Sequence, residues 1–194
     1  MRRKTFDVLV SVGGLVLAAV LLVAGGLLVW GYSFANGQVH DQLAAQKIVF
    51  PTTSNPEFKA LPAADQAAMG AYAGQPLTTG AQAKTYADHF IAVHLAEMGK
   101  GKTYSQLSAL SMTQPKNTAL AQLVQTVFRG TTLRSMLLTA YGFWEFAQIA
   151  LFGAIASFTG AAILLILSIL GLAHSSRVPA SKEILTKTVH PATA

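Results

Sequence analysis

Two stretches of this chain run without a charge for longer than a soluble core helix requires. "VLVSVGGLVLAAVLLVAGGLLVW" extends from Val8 to Trp30, and "FAQIALFGAIASFTGAAILLILSILGLA" from Phe146 to Ala173. A helix rises about 1.5 Å per residue, so the first measures roughly 34 Å, enough to cross a hydrocarbon core about 30 Å thick. Backbone groups in lipid find no water, so such a run must satisfy its hydrogen bonds internally, as a helix. The two runs predict an all-α membrane protein with transmembrane helices at 8–30 and 146–173 flanking a small helical domain at 31–145.

Composition points the same way. The chain is 52% hydrophobic and 11% charged, against roughly 25% charged in an ordinary soluble domain. Cysteine is absent, which removes disulfides, thiolate metal sites and thiol nucleophiles. The net charge of +6 could suggest nucleic acid, but the basic residues gather at the two ends or scatter thinly. No basic patch interleaves with aromatic residues, so nucleic acid is not an expected partner.

A cleaved signal peptide is the competing reading of the first run, and Ser33-Phe34-Ala35 has the small-x-small form of a cleavage site. The uncharged core of 23 residues is longer than the roughly 7–15 of a signal peptide, so a retained anchor is expected. Orientation follows from the short flanks. Arg2, Arg3 and Lys4 precede the first span, and Arg177 and Lys182 follow the second. Short positive flanks stay in the cytoplasm. Both termini (1–7 and a disordered tail at 174–194) are therefore expected inside the plasma membrane, and 31–145 outside. Trp30 and Tyr32 close the first span while Tyr141 and Trp144 open the second. Both pairs then fall at the outer interface, as anchors of an aromatic belt.

Small residues recur in the spans at intervals of four: Gly14 and Ala18 in the first, Gly153, Ser157 and Ala161 in the second. They let helix backbones approach closely, which is the source of association energy in lipid. The expected partners are membrane lipid and either a protein subunit or a second copy, joined through the spans. No charged residue lies inside either span, which argues against an ion or proton relay.

Between the spans, "FPTTSNPEFKALP" (50–62) holds three prolines and reads as an extended linker. Helices are predicted around it: a stalk prolonging the first span with Val39, Leu43 and Ile48 on one side, then Ala63–Tyr72, and Gly80–Met98 closed by Gly99 and Gly101. "TYSQLSALSM" makes a shorter helix ending before Pro115, and another starts at Thr118. "RGTT" (129–132) is a candidate interruption of it, after which "LRSMLLTAYGFWEF" leads into the second span. No alternating strand pattern and no internal repeat is visible.

"TYADHFIAVHLAEMG" (85–99) is the densest group of ligand-type side chains. At 100° per residue, Ala87, Phe90, Ile91, Val93 and Met98 form an apolar face that includes His94, with Asp88 and His89 turned to solvent. Two histidines hold one metal from a helix at i, i+4 spacing; His89 and His94 are five apart. A metal site would need His40, His94 and Glu97 to converge from a distance. The bland reading, a half-buried hydrogen-bonded His94, predicts no cofactor and no catalytic residue. No nucleophile elbow, phosphate loop or dinucleotide fingerprint is present.

The start "MRRKTFD", then "HDQLAAQKI", "GAQAKTYADHFI" and "VFRGTTLRSMLLTAYGFW" resemble a family of small two-span membrane proteins of actinobacteria, over most of residues 1–173. The resemblance implies the topology. Members often carry the label aromatic ring-opening dioxygenase. Ring-opening of catechol-type substrates uses iron, commonly held by two histidines and a carboxylate, and that set has no recognisable spacing in this sequence. The expected function is a non-enzymatic accessory or scaffolding subunit of a membrane or cell-envelope complex. Two others stand beside it: an extracytoplasmic ligand-binding or sensor protein signalling through a partner, and a metal-dependent enzyme at the outer face.

Overall fold

Helix α1 begins at Arg3 and runs unbroken to Ala45, because nothing in its 43 residues stops it: no proline, and glycines only where the backbone is already hydrogen-bonded within the helix. The computed structural model describes residues 3–177 and Pro179. After α1 come α2 (Pro56–Ala60), α3 (Ala63–Gly70), α4 (Gly80–Tyr86), a π turn (Ala87–Ile91), α5 (Ala92–Gly99), α6 (Tyr104–Thr113) and α7 (Thr118–Arg177). Among the described residues the sole β pairing is an isolated bridge between Val49 and Pro76. The chain divides into two compact units, one from Met1–Gly31 with Ala150–Ala194 and one from Tyr32–Ile149.

In the first unit α1 and α7 pack as antiparallel partners. A Cβ added to Gly14 would strike Ser168 Oγ, and one added to Gly171 would strike Ser11 Oγ. Gly25 faces the Phe158 ring, Gly160 faces Leu21 and Gly153 faces Leu28. Numbers rise along one helix as they fall along the other. The inward seam repeats by seven: Ser11, Ala18 and Gly25 on α1, and Ala154, Ala161, Ser168 and Ser175 on α7 are all buried. Seven residues over two turns is the period that keeps one stripe against a partner as two helices wind together. The stripe of fours expected from Gly153, Ser157 and Ala161 is therefore split. Ala161 is on the seam with Ala18, Gly153 flanks it, and Ser157 is half-buried. Gly14 also flanks it, opposite Ser168.

That seam yields a test. Ala161 is 0% exposed, so Ala161→Leu must push the helices apart and should cost about 1–3 kcal/mol by overpacking. Thermal unfolding of the detergent-solubilised protein measures it. Gly26→Leu, where an added Cβ meets nothing within 4 Å, should leave the midpoint almost unchanged.

The second unit has its own core. Phe50, Met69 and Leu77 are its largest fully buried side chains, joined by Val39 and Leu43 of α1, Phe58 of α2, Ala83, Ala87 and Ile91, and Leu137 of α7. A smaller cluster of Leu107, Val124 and Val127 lies between α6 and α7. The stretch 50–62 is not an extended linker. Asn55 accepts the Glu57 amide at 2.8 Å, Pro56 occupies the first turn, and the result is α2. Phe50, Phe58 and Leu61 from this stretch are all buried. Proline at the first helical position costs no hydrogen bond, so Pro56 starts a helix here and does not straighten the chain.

Three further expectations change. "RGTT" does not interrupt α7, which is helical through 129–132. Leu95 packs over Gly130, and the Thr132 hydroxyl donates to the Phe128 carbonyl at 2.9 Å. Such tertiary and local contacts outweigh the propensity loss of about 1 kcal/mol at a glycine. At the end of α5 the left-handed position is taken by Lys100 (φ 49°), with Gly101 (φ 76°) after it and Gly99 still helical. Finally, the tail expected to be disordered is helical at 174–177. Its remainder, with Lys182, lies outside the described residues apart from Pro179, as does Arg2.

Candidate functional site

The π turn at 87–91 interrupts the longest predicted helix of the second unit, and the polar side chains gather on it. A π turn accommodates one residue more than an α turn and is frequent at functional sites. Here the Ala92 amide reaches back to the Ala87 carbonyl. The same carbonyl accepts from Arg134 Nε of α7 at 3.1 Å, while Arg134 Nη2 donates to Asp88 Oδ1 at 2.7 Å. Lys84 Nζ donates to the other Asp88 oxygen at 2.7 Å and stands 5.4 Å from the Tyr141 ring centroid. His89 Nδ1 is 2.7 Å from Asp65 Oδ1 on α3.

Asp88 and His89 are therefore paired with other helices and not free in solvent, although 25% and 39% of their side chains stay exposed. The wider turn breaks the 100° progression and delivers them to partners on α7 and α3. Ala87 and Ile91 keep their buried places, whereas Met98 is 41% exposed and lies off the apolar face. The hydrogen bond from Lys84, with added bonding and charge from Arg134, holds the Asp88 carboxyl below its ordinary pKa against the smaller opposing effect of burial. Its hydrogen bond to Asp88 raises the Lys84 ammonium in turn. A lowered carboxylate contributes stability that is fully present above its unfolded value of 3.8 and is lost as pH falls through its folded value. Asp88→Asn should thus lower the unfolding midpoint at neutral pH. The difference from the parent should close as both are acidified below about pH 4, a trend that circular dichroism melts follow directly.

The metal candidates stay apart. His40 Nδ1 lies 3.2 Å from its neighbour Asp41 in an exposed position. His94 Nδ1 donates to the Phe90 carbonyl at 2.7 Å, and its ring lies 4.4 Å from that of Phe90. Glu97 is exposed. Among the described residues no three of His, Cys, Asp and Glu are grouped so as to hold a metal ion. Of the interface residues, Trp30 is 67% exposed, whereas Tyr141 and Trp144 stack at 6.2 Å and Trp144 covers Gly80. Tyr32 is half-buried.

The second unit also carries a groove of about 670 Å³ between the end of α1 and the middle of α7. Val39, Leu43 and Leu137 form its floor and are buried; Leu133, Met136 and Phe143 stand on its rim, 40–64% exposed. No lining residue is charged. Gln38, Gln42 and Gln46 line the α1 side at intervals of four. On the α7 side Thr132 and Thr139 also line it, and both hydroxyls donate back to the carbonyls four residues earlier, at 2.9 Å each. The 3-4-3 spacing of Leu133, Met136, Ala140 and Phe143 was the sequence signal for this surface. It is hidden there because "LRSMLLTAYGFWEF" also reads as a simple lead into the second span.

Fold and site define an all-helical protein with two helices long and apolar enough to cross a membrane. Compared with protein-family models, with curated proteins and with solved structures, the chain matches none.

Proposed function

We propose that this chain is an integral membrane protein of the plasma membrane that crosses the bilayer twice, keeps both termini in the cytoplasm and presents residues 31–145 outside. Its role is non-enzymatic, as an accessory or scaffolding subunit of a larger membrane or envelope complex. One observation carries the membrane placement. Beyond their shared seam the paired helices expose large apolar side chains: Leu17 50%, Val23 66%, Leu27 65%, Ile166 59% and Leu170 60%. Water would not tolerate an apolar surface that continuous, and lipid would. Arg3 and Arg177, at the two open ends of the hairpin, support termini on the cytoplasmic side.

A protease added to intact cells should cut the middle of the chain and spare tags on both termini; the reverse pattern would sink the topology. For the subunit role, gentle extraction and native electrophoresis should place the protein well above the mass of one 20.4 kDa chain with its detergent. Migration as a lone chain under several mild detergents counts against it. The alternative role, ligand binding at the outer face, is favoured by the uncharged groove between α1 and α7.

A further inference from the structure

We propose that the second unit binds an organic oxyanion, a phosphate monoester or carboxylate on an apolar body, in the cavity between α5, the start of α6 and α7. Lys102, Arg134 and the hydroxyls of Ser105 and Thr131 line this cavity, over a floor that includes Leu95 and Val127. No Asp or Glu lines it. The inference goes beyond the membrane role proposed above and does not depend on it.

The positive charge of this lining is not cancelled. Lys102 takes part in none of the ion pairs among the described residues. Arg134 pairs with Asp88, but Lys84 bonds the other oxygen of the same carboxylate, so two cations share one anion. The Nε and Nη2 bonds to Ala87 and Asp88 pin the guanidinium plane and leave Nη1 without an acceptor among the described residues. A donor already held in place loses little freedom on binding, and its bond to an oxyanion is charge-assisted. Lys102 is presented by a tight turn. Lys100 (φ 49°) and Gly101 (φ 76°) reverse the chain, and the Gly101 and Lys102 amides are tied to the Ala96 and Gly99 carbonyls at 2.8 and 3.0 Å. Thr103 and Gln106 cap each other at the start of α6. Recognition therefore falls to side chains. Thr126 and Thr132 return their hydroxyls to their own helix, whereas the Thr131 hydroxyl has no partner among the described residues. The floor sets the class of ligand. Val127 is 2% exposed, and Leu95 packs against the same cluster. A bare hydrated ion would give up water beside such a wall for nothing, whereas an apolar body covers it favourably.

The test is a calorimetric titration of the full chain in nonionic detergent with phenyl phosphate, benzoate, inorganic phosphate and phenyltrimethylammonium. At least one aromatic anion should bind saturably with a Kd of about 1 mM or lower. Phenyl phosphate should bind about fivefold or more tighter than inorganic phosphate, through the floor, and the cation should not bind. Lys102→Glu and, from the α7 wall, Thr131→Asp each place a carboxylate at an exposed position of the lining and should weaken binding about tenfold. Circular dichroism checks both folds; should one variant unfold, the other decides. Lys116→Glu, the same charge change on the turn between α6 and α7, should leave binding unchanged. No saturable binding by either aromatic anion overturns the site. So does equal weakening by Lys116→Glu, which would mean attraction by overall charge alone. Inorganic phosphate binding as tightly as phenyl phosphate overturns the organic class. Competition identifies the source: stronger displacement by dihexanoyl phosphatidic acid than by unlabelled phenyl phosphate supports a lipid headgroup, and weaker displacement a soluble ester. None of these outcomes bears on the protease test of topology.

Discussion

Phe50→Ala should be among the most damaging single substitutions in the chain, lowering stability by about 3–5 kcal/mol. Phe50 is 1% exposed, and its ring packs against Tyr72 at 5.4 Å and Tyr86 at 5.3 Å, the latter edge-on. Its backbone is held as firmly: the Phe50 amide donates to the Gln75 carbonyl at 2.9 Å, and its own carbonyl accepts from Gly74 at 3.2 Å. The surroundings are tied at both ends and can collapse only partly into the space left behind. The cost then includes a cavity on top of the lost transfer energy and the aromatic contacts. Burial also raises the Tyr86 phenol above its usual 10.0. Stability should consequently fall as pH climbs past 10, because the unfolded chain gives up that proton more readily. Chemical unfolding of the parent and of Phe50→Ala by tryptophan fluorescence and circular dichroism measures the difference. A loss below about 1 kcal/mol would mean that this segment does not belong to the core, and the linker reading of 50–62 would return.

Gly80→Val is expected to be nearly as harmful, for the opposite reason. Gly80 is the first residue of α4, behind the capping box of Thr79 and Gln82. A Cβ there would come within 2.5 Å of Trp144 Cγ, with Trp144 Cβ nearer still. Rotating a side chain cannot relieve a clash with a Cβ, since that atom is fixed to the backbone of α7. The start of α4 and the helix carrying Trp144 must separate, losing the contact that both make with the core. Overpacking of this kind costs about 1–3 kcal/mol, and a β-branched side chain belongs at the upper end. Gly142→Val, two residues from Trp144 on the same helix, meets nothing within 4 Å at its Cβ. It should show no loss, since valine is a slightly better helix former than glycine. Equal melting temperatures for the two variants would contradict the close approach of Trp144 to Gly80.

The same residue shows how differently the two regions could be read beforehand. Trp144 was an interface anchor by its place before the second span, and nothing in "AYGFWEF" points to Gly80, which lies sixty-four residues earlier. The ligand-type cluster at 85–99 was visible as a group, but its partners were not. Arg134 sits forty-six residues from Asp88 and Asp65 twenty-four from His89. The π turn that aims them costs one residue of register, and a fixed 100° step cannot anticipate it. Asn55 and Pro56, by contrast, are a helix start written locally, a capping side chain followed by proline at the first helical position.

Local chemistry was enough to determine the two apolar helices, the all-helical class and most of the short helices, because apolar length, periodicity and caps act within a few residues of chain. Only the folded chain decided that Phe50 is core, that the small residues meet by sevens, that Arg134 clamps Asp88, and that an uncharged groove opens between α1 and α7. Each of these depends on distant segments competing for the same space, and close packing is a property of the ensemble of neighbours that no window of sequence contains.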